Sequence, residues 1–500
     1  MGKTLKVAAI AAASLSLSLV AGAGAGAAEA NRSRSNEIHN VIYLLGDGMG
    51  RTHVSAARER YYGADGKLVM ETLPNVGQNR TYSVEPNSGQ PGESDFAPNY
   101  VTDSASAATA WASGVKTYNA ALGVDAKGNV KPTVMELAKK AGYRTGNVST
   151  AEITDATPAG QMSHVLLRGC QGPNYSAAAC QYTTVTGGTE LPTSDVRVTP
   201  VADQIARNGV ADVIMGGGLS RFDATDEQSL KAQGYTVLGS PAAQRVATEQ
   251  DLNRLKASKK GNKVFALYNK GNLTIERSKR LNPASAEAKE PNLAEMTRKS
   301  IELLDTNKGK KGFYLQVEGA LIDKRSHAND AAQTLEETKA FDEAVRVALD
   351  YAKKDKHTLV IVTADHECAG FNIIEKGTHT NAEAVTPPAN VDSGNTANNS
   401  TPSRAKSGAL DPKRSSGIIN GSGSADTANF GPATFRTVDD PAGVEDGTKE
   451  ASLWLSYLSG NHTGADVPVY GYGPSSYKVA GSIENTDLFD IVGQALGVVA

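Results

Sequence analysis

The feature that most limits what this chain can fold into is a series of short apolar runs that stop abruptly at polar or glycine residues. His39-Asn40-Val41-Ile42-Tyr43-Leu44-Leu45 breaks at Gly46-Asp47-Gly48-Met49-Gly50. Arg144 to Val148 leads into Ser149-Thr150-Ala151-Glu152 and on to Asp155-Ala156-Thr157-Pro158. Asp212 to Met215 runs into three glycines, and His357 to Thr363 into Ala364-Asp365-His366. Val264 to Tyr268 and Val467 to Tyr472 are of the same kind, and a strand starting near Gly312 delivers Glu318. Apolar runs without alternation read as strands buried on both faces, as in parallel sheets. Between them the pattern predicts helices over Val130 to Gly142, Val201 to Gly209, Pro291 to Asp305, Asp330 to Lys354 and Asp487 to Val499. Such alternation predicts an α/β fold, with a large, mainly parallel central sheet and helices on both faces. The carboxyl ends of parallel strands share one edge, and that edge is where open α/β sheets hold ligands.

Residues 1–30 stand apart. Lys3 and Lys6 precede the apolar run Val7 to Val20, and a Gly/Ala stretch ends in Ala28-Glu29-Ala30. This is the pattern of a secretory signal peptide cleaved near Ala30, which places the mature chain outside the cytoplasm, secreted or periplasmic. The apolar run is short for a membrane span, and no later one is longer. A formal net charge of -3 over 500 residues offers no basic field for nucleic acid. Cys170 and Cys180 lie close together in a loop-like stretch, and in an exported chain they are expected to form a disulfide; Cys368 is left over. From 376 to 447 Gly, Ser, Asn, Thr and Pro dominate and apolar periodicity is lost. That tract is expected to be an insertion with little core of its own, interrupting a catalytic α/β domain of residues 31–375 and 448–500. Ala433 to Val438 is expected to add a short strand within it.

Thr102-Asp103-Ser104-Ala105 places cap-type residues ahead of a small-residue helix running through Trp111. Ser104 then lies in the first turn, where unpaired N–H groups and the helix dipole favour a negative group. A hydroxyl there is placed to attack or to carry a phosphate, although taken singly such a serine is ordinarily a cap. Asp47, Glu318, Asp323, His327, Asp365, His366 and His462 are carboxylates or imidazoles, most of them just beyond an apolar strand. Asp155 and Thr157 sit two apart past another strand, His164 and Arg168 four apart on an apparent short helical segment, and His462 in a turn. Any one of these alone is ordinarily a surface charge or a hydrogen-bonded core group. Gathered at one edge they would repel strongly unless cations lay between them. Mixed imidazole and carboxylate donors suit zinc, and carboxylates with a threonine oxygen suit magnesium.

These motifs, with Thr109-Ala110-Trp111, Gly114-Val115-Lys116-Thr117, Val317-Glu318-Gly319-Ala320, Ile322-Asp323-Lys324 and His462-Thr463-Gly464, give the chain a close resemblance to the bacterial alkaline phosphatases. The resemblance runs from about residue 38 to the end and is weakest over 376–447. It implies that family's α/β fold with a crown-like insertion, and broad hydrolysis of small phosphate monoesters through a phosphoserine on Ser104. It further implies two zinc ions and one magnesium ion per chain. Asp323, His327 and His462 would hold one zinc. Asp47, Asp365, His366 and, in the free enzyme, Ser104 would hold the second. Asp47, Thr157 and Glu318 would hold magnesium, with Asp155 reaching it through water. Arg168 would clamp the substrate phosphate and Lys324 would reach it through water, while a homodimer is the family's common assembly.

Two positions depart from the family pattern. Ser326 stands where an acidic residue is common, which is expected to alter magnesium affinity and product release. Cys368 stands where a second histidine is common, either as a bystander thiol, the favoured reading, or as a soft ligand. A sulfatase-type reading is disfavoured because no proline and arginine follow Ser104, and a purely binding role because Ser104 itself is present.

Overall fold

Asn40–Gly46 (β1) is buried along its whole length, with Phe313–Gly319 on one side and Thr358–Thr363 on the other, both parallel to it. The arrangement is that of a computed structural model, which describes residues 38–173, 176–259, 261–306, 311–374, 434–448, 450–457 and 460–500. The expected signal segment and most of the 376–447 tract lie outside the described residues. In chain order the further strands of the central sheet are Asn75–Arg80 (β2), Arg144–Glu152 (β3), Val213–Gly217 (β4), Thr236–Leu238 (β5) and Val264–Leu267 (β6). Phe313–Gly319 (β7), Thr358–Thr363 (β8), Val467–Tyr472 (β9) and Gly481–Glu484 (β10) complete it. The ten strands lie in the order β10-β2-β9-β8-β1-β7-β3-β4-β6-β5. Only β9 runs against its neighbours, pairing antiparallel with both β8 and β2.

Alternate residues of β1 enter two separate cores, which is why the run carries no polar face. Ile42 and Leu44 pack with the helix Ala331–Asp355, while Val41, Tyr43 and Leu45 pack with Ser104–Ser113 and Asp487–Ala495. Helices therefore cover both faces, as the sequence predicted. The helices that shape the site are Arg51–Tyr62 (α1), Ser104–Ser113 (α2), Leu321–His327 (α3) and Ala331–Asp355 (α4). Asp103 caps α2, its side chain accepting from the Ser106 N–H, and the small residues that make up the helix apart from Trp111 let it lie close to its neighbours. A methyl on Gly160 would fall 2.7 Å from Ala108 Cβ, so α2 presses directly on the turn that carries Thr157.

Several expectations need correction. The helix expected from Val130 starts only at Val134, capped by Thr133, because Pro132 holds the preceding residue extended. Strand β3 runs four residues beyond Val148, to Glu152. The final helix ends at Ala495 rather than Val499. His164 and Arg168 are not on a helix: Val165 instead exchanges two backbone hydrogen bonds with Leu122, and Arg168 N–H donates to the Ala120 carbonyl. His462 is not in a turn but on a short strand, His462–Thr463, paired antiparallel with Glu367–Cys368. Within the 376–447 tract the described part forms the strand Thr434–Phe435, which pairs with Leu453–Tyr457 and is buried. Cys170 and Cys180 are joined in a disulfide. Among the described residues no helix is long and apolar enough to cross a membrane.

Phe341, on α4, is fully buried with its ring over Gly319 at the end of β7, where a Cβ would lie 2.8 Å from the ring. The ring thus fixes the strand end that delivers Glu318. Phe341→Ala is expected to destabilise the protein by about 3–5 kcal/mol, read as a lower urea midpoint at unchanged slope.

Candidate active site

Parallel strands deliver their carboxyl ends to one edge, and the ionisable groups gather there. Asp47 follows β1, Glu318 lies on β7, Asp365 and His366 follow β8, and Asp155 and Thr157 follow β3. Strand β9 is antiparallel, so its amino end lies at that same edge and brings His462 with it. Helix α3, directly after β7, supplies Asp323, Lys324 and His327.

Two clusters of ligand-type atoms form. The donor atoms of Asp323, His327, Cys368 and His462 all lie within 4.8 Å of one another, as do those of Asp47, Asp365 and His366. In the first cluster the imidazoles are oriented by backbone carbonyls. His327 Nδ1 donates to Gly460 O at 2.6 Å, and His462 Nδ1 to Thr102 O at 2.9 Å. Both Nε2 atoms therefore face inward, 3.1 Å apart, and stand 3.3 and 3.5 Å from the two Asp323 oxygens. In the second, His366 Nε2 lies 3.1 Å from Asp365 Oδ2, 3.5 Å from Asp47 Oδ1 and 3.2 Å from Ser104 Oγ. The His366 and His462 rings stack with centroids 3.5 Å apart, which places the clusters side by side.

Whether these residues fit cations is answered by their unsatisfied atoms. Asp47 Oδ1, Asp323 Oδ1, Asp365 Oδ2 and Thr157 Oγ1 are buried and make no hydrogen bond among the described residues. Buried polar atoms are ordinarily paired, so inward-facing oxygens and nitrogens of this kind fit divalent cations. Electrostatics agree. Burial, and then Asp365, Asp323 and Glu318, hold Asp47 well above the usual carboxylate range. Burial raises Glu318 to about 8, although Ser149 donates a hydrogen bond to it. Asp323 holds a proton on His327, whose pKa rises to about 9.

A cationic group lies beside them. Arg168 donates to Asp103 Oδ2 at 3.1 Å and to Asp155 Oδ1 at 2.6 Å, and Lys324 Nζ donates to Asp155 Oδ2 at 2.7 Å. Burial opposes the Asp155 charge, but Lys324 and Arg168 outweigh it and depress the carboxyl strongly. All the site residues expected from the sequence thus come to one edge. His164 does not join them; its ring bonds Gly123 O and Glu136. Asp103 was expected only as a cap, and it also holds Arg168. Ser149 was not singled out, although its place opposite Glu318 on the adjacent strand is a register fact no spacing reveals. Ser326 hydrogen-bonds Ile322 and His53 rather than Glu318, Thr157 or Asp155, so no direct contact supports an effect on magnesium. Cys368 is buried and its thiol points to the Asp323 carbonyl at 3.7 Å; burial and then Asp323 raise its pKa well above the ordinary value.

Comparison with known proteins fits this geometry. The family model described as alkaline phosphatase matches residues 38–498. An alkaline phosphatase of Escherichia fergusonii is 36% identical over 480 residues, covering 92% of this chain and 86% of the relative. One of Escherichia coli is 34% identical over 481 residues, covering 92% and 86%. A crystal structure of a cold-active alkaline phosphatase from a psychrophilic Shewanella superposes with a TM-score of 0.62 at 25% identity, covering 91% of this chain and 99% of that one.

The raised groups fix the sign of a pH effect in the metal-free protein. A group whose folded pKa exceeds its unfolded value stabilises the fold below the unfolded pKa and loses that contribution as pH rises through the folded one. For Glu318 the loss runs from about 4.5 to about 8, and for His327 from about 6.5 to about 9. The metal-free protein is therefore expected to melt at progressively lower temperature between pH 6.5 and 9, and saturating zinc and magnesium to flatten that slope. Parallel melting curves with and without metal would count against cations relieving this charge.

Proposed function

The chain belongs to the alkaline phosphatase family and hydrolyses phosphate monoesters, and on that premise we propose that Ser104 is the nucleophile of a metal-assisted, two-step reaction. The observation that carries the proposal is the place of Ser104 Oγ, at the first residue of α2 and 3.2 Å from His366 Nε2, in the Asp47–Asp365–His366 cluster. We assign Asp323, His327 and His462 to one zinc, and Asp47, Asp365, His366 and Ser104 to a second. Asp47, Thr157 and Glu318 are assigned to magnesium, with Asp155 linked through water. The donor sets and the unpaired oxygens support this assignment. When bound, such cations lower the serine pKa and neutralise charge on the phosphate and on the departing alcohol.

The chain's own groups do the rest. Arg168 and Lys324 bind the phosphate oxygens, and the two carboxylates that hold Arg168 fix its fork before substrate arrives. Ser104 gives up its proton to water and its oxygen bonds phosphorus, while the bond to the ester oxygen breaks and the leaving alkoxide takes a proton from water to depart as the alcohol. Water then attacks the phosphoserine, the serine oxygen leaves with a proton, and inorganic phosphate is released. The α2 amino terminus favours the anionic phosphoserine. None of these groups selects the alcohol, which supports broad monoester specificity. Export with cleavage near Ala30 is part of the proposal, supported by the pattern of residues 1–30 and by the Cys170–Cys180 disulfide. Homodimer formation is proposed on the family resemblance.

With p-nitrophenyl phosphate at alkaline pH and zinc and magnesium in excess, Ser104→Ala is expected to lower kcat by roughly three orders of magnitude or more. Acid quenching with labelled substrate should trap phosphoserine in the wild type and none in Ser104→Ala. Arg168→Ala is expected to lower kcat/KM by roughly 10–100-fold. Label retained on Ser104→Ala would reassign the nucleophile, and wild-type protein carrying no zinc would remove the metal assignment.

A further inference from the structure

We propose that His53, acting through Ser326, is a positioning residue that locks the helix bearing Asp323 and His327 to the loop bearing Asp47. The inference rests on the metal assignment above and concerns residues that assignment does not use. His53, in the first turn of α1, is fully buried. Its Nδ1 lies 3.2 Å from the Gly50 N–H. A backbone N–H can only donate, so Nδ1 carries the lone pair and the ring proton sits on Nε2. That nitrogen is 3.0 Å from Ser326 Oγ, and Ser326 Oγ is 2.8 Å from the Ile322 carbonyl. The serine has one proton; it goes to the carbonyl, and its lone pair receives His53 Nε2–H. Every bond in the chain Gly50–His53–Ser326–Ile322 therefore has one possible direction.

The chain matters because α3 depends on tertiary contacts for its orientation, and this one adds to the Lys324–Asp155 and His327–Gly460 bonds and the buried Ile322 side chain. The helix is seven residues long, and its first turn has no side-chain cap. A helix of that length does not fix its own orientation. Ser326 immediately precedes His327, and Ile322 immediately precedes Asp323, so the tether grips the helix next to both proposed ligands. Its other end is Gly50, three residues past Asp47. Thr334 Oγ1 stands 3.4 Å from Ser326 Oγ and accepts from Tyr457 OH at 2.9 Å, which ties α4 and Leu453–Tyr457 to the same point. The His53 ring packs on Phe371 at 4.8 Å, and Phe371 stacks on Tyr457 at 4.6 Å. Burial pushes His53 down to about 4, which keeps the imidazole neutral and this donor pattern intact at neutral and alkaline pH.

The test uses the full mature chain stripped of metal. Zinc affinity is measured by competition with a chromophoric chelator, alongside the metal-free melting temperature and kcat and KM in excess zinc. Ser326→Ala and His53→Phe are each expected to weaken zinc binding about 10–100-fold, the range found when groups that orient metal ligands are removed. The double variant should be no weaker than the worse single one, because one chain is being cut twice. Excess zinc should restore most of kcat with KM near the wild-type value. Ser326→Ala removes a single oxygen and keeps the test readable if His53→Phe does not fold. Wild-type zinc affinity in Ser326→Ala, with only the metal-free melting temperature lowered, would reduce the chain to ordinary core packing and overturn the proposal. Wild-type protein that binds no zinc would instead overturn the metal assignment, and this proposal with it.

Discussion

Asp47, Glu318, Asp323 and Asp365 are each no more than 5% exposed, yet they meet at one sheet edge. Burying carboxylates together is expensive unless each finds a partner. The fold supplies some partners: the Gly48 and His366 N–H groups donate to Asp365, and His327 and His462 face Asp323. These leave the inner oxygens of Asp47, Asp323 and Asp365 unpaired, and Asp47 and Glu318 with raised pKa values. A geometry that would be a folding defect without cations is one that fits them. Gly48 shows how tightly the edge is drawn: its φ is +70°, and a Cβ there would lie 2.8 Å from Cys368 and 2.9 Å from Asp323 Oδ1.

The opposite charge is organised by the same logic. Arg168 and Lys324 would repel each other across an open cleft, and Asp155 lies between them and bonds both. The Arg168 guanidinium is already fixed on two carboxylates, so, on the proposed assignment, little side-chain entropy would remain to be lost when a phosphate binds. Beneath them a buried amide relay holds the floor in place. Trp111 Nε1 and Gln161 Nε2 both donate to Gln316 Oε1, and Gln316 Nε2 donates to the Thr157 carbonyl at 3.0 Å. Helix α2, the central strand β7 and the Thr157 turn are thereby referred to one side chain.

The sequence made β1, β7 and β8 legible, because fully apolar runs have few other uses, and it made Ser104 legible through the cap ahead of it. Polar strands were not readable. Asn75–Arg80 is Asn-Val-Gly-Gln-Asn-Arg, which carries no strand pattern, and it pairs because β9 and β10 supply partners on either side. The i, i+4 spacing of His164 and Arg168 suggested a helix that tertiary pairing with Leu122 overrides. The carbonyls of Thr102 and Gly460, which aim two imidazoles, are invisible in any sequence because every residue has one. Ser326 was legible as a departure from the family pattern, but its partner His53 lies 273 residues away and only the fold joins them.

Strand direction was the other hidden variable, and one strand decides the site. His462 precedes β9 by five residues. Were β9 parallel to β8, its amino end would lie at the far edge of the sheet. Six residues at about 3.3 Å each put that edge about 20 Å away. Because β9 runs against β8, its start comes to the carboxyl edge, and the short strand His462–Thr463 can pair with Glu367–Cys368 immediately after Asp365 and His366. That pairing stacks His462 on His366 and turns its Nε2 toward Asp323. A single reversed strand therefore completes the Asp323–His327 cluster and sets it against the Asp47–Asp365–His366 cluster, where His366 lies 3.2 Å from Ser104 Oγ.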